Sequence, residues 1–273
     1  MGMNKGNVGF IGAGNMATAL VKGLVKSGLY PPEHIRASDI SREKLEQIRE
    51  QFGLNIYTSN RALVDGCPVI VLSIKPQNMK DVLVEIGEEF RDHQLVISIA
   101  AGIPLQMIRD HIGRDIPMVR VMPNTPALIQ KGVSALAAGK TATPAHMDIV
   151  KEIFEAVGET VVVSEDMMDA VTAVSGSGPG YVFRIMEGFV RAGEGLGFDR
   201  DISLRLVIQT FLGAAHLAVQ SEKSLSELRE MVTSPGGTTA AGLSAFEEKG
   251  LEETIKAGVE AACRRSVELG KGE

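Results

Sequence analysis

A short apolar run, Asn7 to Ile11, leads directly into Gly12-Ala13-Gly14-Asn15-Met16-Ala17, and from Thr18 to Lys26 the apolar residues Leu20, Val21 and Leu24 recur at helical spacing. Strand, G-x-G-x-x-A and helix in that order leave few folds open. The first glycine permits a tight turn, the second lets backbone approach a pyrophosphate, and the final small residue lets helix pack on strand. The helix start adds free N–H groups and the positive end of its dipole, both favourable to phosphate. The pattern predicts a Rossmann-type dinucleotide-binding domain, against the alternative of a merely structural glycine turn.

The following residues extend that prediction. Residues 34–38 read as a second strand ending at Asp39, near the place where the fingerprint expects an acid on the adenine ribose, about 20 residues on. An acid there favours NAD by repelling a 2′-phosphate, yet Ser38, Ser41 and Arg42 could hold such a phosphate if Asp39 turned away. Asp39 as a cap for the helix expected over 41–52 is the competing reading. Three more apolar strands, 68–74, 94–100 and 117–122, run into Lys75-Pro76, Ala100-Ala101-Gly102 and Pro123-Asn124-Thr125-Pro126. Their near-continuous apolar character predicts a parallel sheet covered on both faces. Ligands bind such sheets beyond the carboxyl ends of the strands, so these loops share one edge with the glycine turn. Two further strands, 132–136 and 160–163, are expected around a helix over 144–157.

After Ser164 only helical patterns continue: 167–174, 181–196, 202–220, 225–232, 239–249 and 251–269, with Gly250 and Gly270 as stops and an interruption at 175–180. The expected division is a dinucleotide-binding domain over 1–164 and an all-helical domain over 165–273 for substrate binding and dimerisation. Small residues on the long apolar helices (Gly188, Ala192, Gly213, Ala214, Ala215) point to a helical dimer interface. Between two helices, Ser234-Pro235-Gly236-Gly237-Thr238-Thr239 makes a sharp corner. Its glycines bare the backbone, the hydroxyl residues are expected to cap the next helix, and the helix start attracts an anion such as a carboxylate. An ordinary helix–turn–helix corner is the alternative.

Net charge of −6, 4% aromatic residues and no Trp argue against a nucleic-acid partner. Two distant cysteines, Cys67 and Cys263, suit free thiols in a reducing compartment. No apolar run reaches the roughly 18 residues needed to span a membrane, and the N-terminus has no signal-peptide pattern, so the cytoplasm is the expected location, with no membrane partner. No metal site is expected.

Five motifs, Val8 to Ala17, Ile74-Lys75-Pro76-Gln77, Met122-Pro123-Asn124-Thr125-Pro126, Ser175-Gly176-Ser177-Gly178-Pro179 and Val232 to Thr239, stand in an order and spacing that resemble pyrroline-5-carboxylate reductase across nearly the whole chain. The resemblance implies NADPH- or NADH-dependent reduction of 1-pyrroline-5-carboxylate to proline. It also implies a dimer of intertwined helical domains, often assembled into a decamer. Chemistry agrees with an imine. Ketone reduction needs a proton donor, and neither 175–180 nor 234–239 contains His, Lys, Asp or Glu. A protonated cyclic imine is already electrophilic, so positioning and water exclusion can suffice.

By this resemblance Gly12, Gly14, Asn15, Met16 and Ala17 cradle the pyrophosphate, and Ser38, Asp39 and Asn60 face the adenosine. Ser73, Ile74, Lys75, Pro76, Ala100 and Ala101 line the path to the nicotinamide ribose, and Asn124 orients nicotinamide or substrate. Gly236, Gly237 and Thr238 offer N–H groups, and Ser234 its hydroxyl, to the substrate carboxylate, while Thr239 bonds the ring nitrogen. Ser175, Gly176, Ser177, Gly178 and Pro179 wall the pocket. Glu222 stands where the family carries an acid near the site, with an exposed helix-end carboxylate as the competing reading; Lys75 as a solvated loop cation competes likewise. The chain departs from the family at Gly180 (usually Ala), at Ile40 (often Arg in NADP-type members) and at Ser224-Leu225 (usually His-Pro). A hydroxyacid dehydrogenase or another imine reductase, and a non-catalytic dinucleotide sensor, remain open. The first would place a catalytic Lys in 181–196, and the last would lose the 234–239 loop.

Overall fold

The computed structural model describes residues 6–271. It contains two compact units, Met1–Ser177 with Ala262–Glu273, and Gly178–Ala261. The first is built on one eight-stranded sheet in the order β3-β2-β1-β4-β5-β6-β7-β8. The strands are β1 Val8–Ile11, β2 Ile35–Ser38, β3 Asn55–Tyr57, β4 Val69–Leu72, β5 Leu95–Ser98, β6 Met118–Met122, β7 Gly132–Ala138 and β8 Gly158–Val162. The first six run parallel; β7 turns back against β6, and β8 runs parallel to β7.

The continuous apolar strands are explained by cover on both faces. On one face α1 (Asn15–Ser27), α2 (Arg42–Phe52) and α6 (Pro144–Glu155) pack Leu20, Leu24, Leu45 and Phe154 against Phe10 and Val71. On the other, α3 (Asn60–Asp65), α4 (Met79–Ile86) and α5 (Leu105–Ile112) pack Leu63, Leu83 and Ile108 against Ile11, Ile70 and Leu72. Alternate residues of one strand thus serve opposite cores.

Several sequence expectations change. The edge strand β3 and the short helix α3 were not anticipated, because three residues of mixed polarity carry too little periodicity. Residues 175–180 do not interrupt a helix in the expected way. Instead α7 (Met168–Val171) opens into a wide turn over Thr172–Gly176, where the Ser177 N–H donates to the Thr172 carbonyl at 2.8 Å, five residues back. The next helix, α8 (Gly178–Gly195), then starts inside the motif, with Pro179 in its first turn, where no N–H is needed. By packing, the first compact unit runs on to Ser177, and Met168 joins Ala135 and Ala137 of β7 in a small core of its own. The final helix, α12 (Leu251–Lys271), continues through Gly270, whose missing side chain faces the Gly102 carbonyl.

The second unit comprises α8, α9 (Arg200–Gln220), α10 (Leu225–Met231), α11 (Thr238–Glu248) and the first turns of α12. Phe189 meets Phe211 and Phe246 edge-to-face, at centroid distances of 5.6 and 6.3 Å. Much of its apolar surface stays uncovered within one chain, including Phe183, Leu206 and Val219. Against the expectation that no apolar run is long enough, α9 is long and apolar enough, by length and composition, to cross a membrane, because its charges gather in the first turns, at Arg200, Asp201 and Arg205.

Tyr30, buried beside α1, provides a pH test of the first core. Burial, assisted by Glu152, raises its phenol from 10.0 to about 12. The folded state therefore favours the neutral phenol, and this contribution to stability is intact below pH 10 and lost as pH rises towards 12. A phenolate absorbance step near pH 12, absent from Tyr30→Phe, is the expected result.

Candidate active site

The carboxyl ends of β1, β2, β4, β5 and β6 lie on one sheet edge, and the predicted cofactor residues follow them. At its centre the turn after β1 is held by backbone. Gly12 has φ +101°, and a side chain there would meet the Ser73 carbonyl oxygen at 2.5 Å. The Gly12 N–H donates to the Ser38 carbonyl at 2.7 Å, and the Ser73 hydroxyl donates to the Gly12 carbonyl at 2.6 Å. Gly14 is different. It caps α1 without a side chain, and nothing in the protein lies within 4 Å of where its Cβ would be. Protein packing does not demand glycine there. The first turn of α1 carries no acid and no side-chain cap, so the N–H groups of Asn15 and Met16 remain available. Ala17 is fully buried, so its side chain serves packing.

Asp39 neither turns away nor caps α2, whose cap is Ser41. One carboxylate oxygen accepts from the Ala13 N–H at 2.7 Å and the other from the Ser41 N–H at 2.7 Å. The acid is therefore locked beside the glycine turn. Ser38 is buried, and its hydroxyl donates to Asn60 at 2.8 Å; Asn60 in turn donates to Glu85 at 2.9 Å. Asn60 is thus presented at the edge, and Ser38 acts through it. Arg42 leans towards Glu46 on its own helix, 3.8 Å away. Ser73 spends its hydroxyl on the turn, Ile74 and Pro76 are half-buried, Lys75 is exposed, Ala100 is buried and Ala101 half-buried.

Beyond β6, the Asn124 side chain accepts from the Val133 N–H at 3.0 Å and donates to the Ser175 hydroxyl at 3.4 Å. The wide turn is brought close: a side chain at Gly176 would collide with Met122. Asn124, Ser175 and Gly176 therefore form one cluster. Behind it lies a group that sequence reasoning missed. Arg120, 5% exposed in an otherwise apolar strand, pairs with Asp169 at 3.5 Å and Glu165 at 3.8 Å. Burial lowers its pKa, opposed by the attraction of Asp169 and then Glu165. The signal was available as a lone cation in Met118-Val119-Arg120-Val121-Met122. Among the described residues no group of three or more His, Cys, Asp or Glu is arranged to hold a metal.

In the second unit the 234–239 corner has an N-terminus like that of α1. Gly236 has φ +69°, and the Gly237 N–H donates to the Ser234 carbonyl at 2.9 Å. Gly237 caps α11 with no side chain, so the expected capping by threonine does not occur; Thr238 and Thr239 are instead the first two helical residues, both exposed. By contrast, α2, α3, α9 and α10 are capped by Ser41, Ser59, Asp199 and Ser224. Glycine and threonine in this order leave the first-turn N–H groups of α11 unspent. Ser234 is exposed, and Glu222 is exposed between α9 and α10.

Residues 165–269 match the family model described as pyrroline-5-carboxylate reductase dimerisation, and 7–102 match that described as NADP oxidoreductase, coenzyme F420-dependent. Over 269 residues the chain is 41% identical to the pyrroline-5-carboxylate reductase of Methanosarcina acetivorans, covering 98% of this chain and 100% of that protein. The chain belongs to the pyrroline-5-carboxylate reductase family. The pyrroline-5-carboxylate reductase structure from Coxiella burnetii is similar at TM-score 0.91 and 38% identity, over 97% of this chain and 99% of that one. A pyrroline carboxylate reductase structure from Plasmodium falciparum with NADP bound is similar at TM-score 0.89 and 32% identity, over 98% and 100%. Within the reductase family the dimerisation model covers helices whose apolar faces one chain leaves exposed, as an interface between copies requires.

Proposed function

We propose that this chain reduces 1-pyrroline-5-carboxylate to L-proline with NADH or NADPH, the final step of proline synthesis, and that the two uncapped, glycine-led helix starts are its anion sites. The observation that carries the reading is this pair: Gly14 before α1 and Gly237 before α11 lack capping side chains, and no acid stands in either first turn. The cofactor pyrophosphate takes the first and the substrate carboxylate the second. When bound, the cofactor supplies a hydride to the imine carbon.

The chain's own residues bind and orient. Gly12, Gly14, Asn15, Met16 and the Ala17 backbone cradle the pyrophosphate. Asp39 and Asn60 meet the adenosine, and Ser38 and Ser73 hold those elements in place. Ile74, Lys75, Pro76, Ala100 and Ala101 line the nicotinamide side. Asn124, with Ser175, Gly176, Ser177, Gly178 and Pro179, forms the wall towards the substrate. Ser234, Gly236, Gly237 and Thr238 hold the carboxylate. Thr239 orients the ring nitrogen, which keeps its proton as the carbon–nitrogen double bond becomes single. Glu222 favours the cationic imine by charge. The protein works as a dimer in the cytoplasm, in a reducing setting that suits two free thiols, and further assembly into a decamer follows the family pattern.

The test is oxidation of NADH and of NADPH in the presence of 1-pyrroline-5-carboxylate, with proline identified as product. Asp39 is a fixed carboxylate near the adenosine end, and Arg42 is directed towards Glu46. A 2′-phosphate would be repelled there, so NADH is expected to have the lower KM, by roughly tenfold. No proline with either cofactor would overturn the functional reading. A lower KM for NADPH would overturn the role of Asp39.

A further inference from the structure

The buried charge of Arg120 has no part in the roles above, yet it lies behind the substrate-side cluster. Its partner Asp169 also accepts from the Ser266 hydroxyl of α12 at 2.7 Å, and Ser266 is 3% exposed. Glu165, the second partner, accepts from the Leu105 N–H at the start of α5 at 2.7 Å. The last turns of α12 are tightly seated: a side chain at Gly102, φ +74°, would meet the Ser266 carbonyl at 2.8 Å. Three separate elements, β6, α7 and α12, thus converge on one carboxylate.

Charge in this position is a poor way to gain stability. Taking Arg120 out of water, against two carboxylates that stay partly exposed, costs much of what their attraction returns, and an apolar residue would suit β6 equally well. The arrangement specifies geometry. Along β6, Arg120 precedes Asn124; along the α7 segment, Asp169 precedes Ser175. The two chain segments are therefore joined twice, by the Arg120–Asp169 pair and by the Asn124–Ser175 hydrogen bond. The wide turn follows the first joint and takes in the second, Ser175, and within it a five-residue hydrogen bond replaces the regular helical one. Such turns within helices are rare and are frequent at functional sites, and an anchor just before this one, at Asp169, sets where it begins.

We propose that Asp169, held between Arg120 and Ser266, is a positioning residue for the reduction: it sets the wide turn that presents Ser175 and the Gly176 backbone to the substrate. This rests on the functional reading above, since it assumes that Ser175 borders the imine. Asp169 touches neither substrate nor cofactor and acts through the turn.

The test uses the full-length enzyme and steady-state kinetics with 1-pyrroline-5-carboxylate and NADH. Asp169→Asn is expected to raise the KM for the imine roughly tenfold and to change the KM for NADH less than twofold, because the glycine turn is untouched. Ser266→Ala, which removes one hydroxyl, is expected to raise the imine KM about threefold. In a Ser175→Ala background neither substitution should add a further loss, since the route through Ser175 is already broken. Thermal unfolding is followed for every variant, and Ser266→Ala carries the test if Asp169→Asn does not fold. The proposal is overturned if the imine KM is unchanged in a folded variant. It is also overturned if the losses multiply with that of Ser175→Ala, or if NADH and imine KM rise together. An unsubstituted enzyme without proline-forming activity would instead overturn the functional reading.

Discussion

Gly14→Val is expected to raise the KM for NADH by at least about a hundredfold while Tm falls by no more than about 4 °C. The asymmetry follows from two glycines that look alike in the motif. At Gly12 the backbone has φ +101° and the Ser73 carbonyl fills the space where a side chain would go, so Gly12→Ala strains the fold itself, by about 2–4 kcal/mol. At Gly14 φ is −77° and the space is open. Valine is a poor helix cap and costs about 1 kcal/mol there, but it clashes with nothing in the protein. Its methyl groups occupy the ground in front of the α1 N–H groups, the site proposed for the pyrophosphate. Titration of NADH by fluorescence, alongside thermal unfolding of both variants, separates the two effects. Weak binding with an intact fold is expected for Gly14→Val; unimpaired binding would remove α1 as the phosphate site.

The second large effect is expected at Thr239. Thr239→Ala should lower kcat about a hundredfold and leave the KM for NADH within twofold, the size of effect that losing an orienting contact at the reacting centre can have. Thr239 is exposed and makes no side-chain hydrogen bond that caps its helix, so the fold does not depend on its hydroxyl. Thr239→Ser should recover most of the rate, because the hydroxyl is the working part. Single-turnover measurements at saturating NADH would check this directly. An unchanged kcat in Thr239→Ala would leave the loop its carboxylate-binding role and remove the one at the ring nitrogen.

Much of the site was legible because its parts are local. The strand before Gly12, the helix after it and the turn between them span few residues, and glycine placement has a direct backbone meaning. The same holds for Gly236, where φ +69° was foreshadowed by the residue type alone. The layered sheet was readable from the apolar strands, because cover on both faces removes the polar alternation that one-sided strands show. Local reasoning erred where two residue types could do one job. Threonines after Gly237 suggested a cap, yet a glycine occupies the capping position and leaves the N–H groups free. A helix cap was the competing reading of Asp39, yet Ser41 caps α2 and Asp39 bridges Ala13 and Ser41.

By itself, then, the sequence determined the dinucleotide fold, the sheet edge that carries the predicted cofactor loops, the helical second half and the two glycine corners. Each rests on periodicity or backbone freedom within about twenty residues, a range over which chain connectivity constrains geometry. Only the tertiary structure decided that Gly14 faces open space while Gly12 does not, that Ser73 works on the turn, and that the 175–180 motif begins a helix. It also brought Arg120, Asp169 and Ser266 together. Those residues come from distant parts of the chain, and Asp169 and Ser266 alone are 97 positions apart. No spacing rule joins them; burying one arginine in a strand between two helices does, because a charge out of water must find partners wherever the fold supplies them.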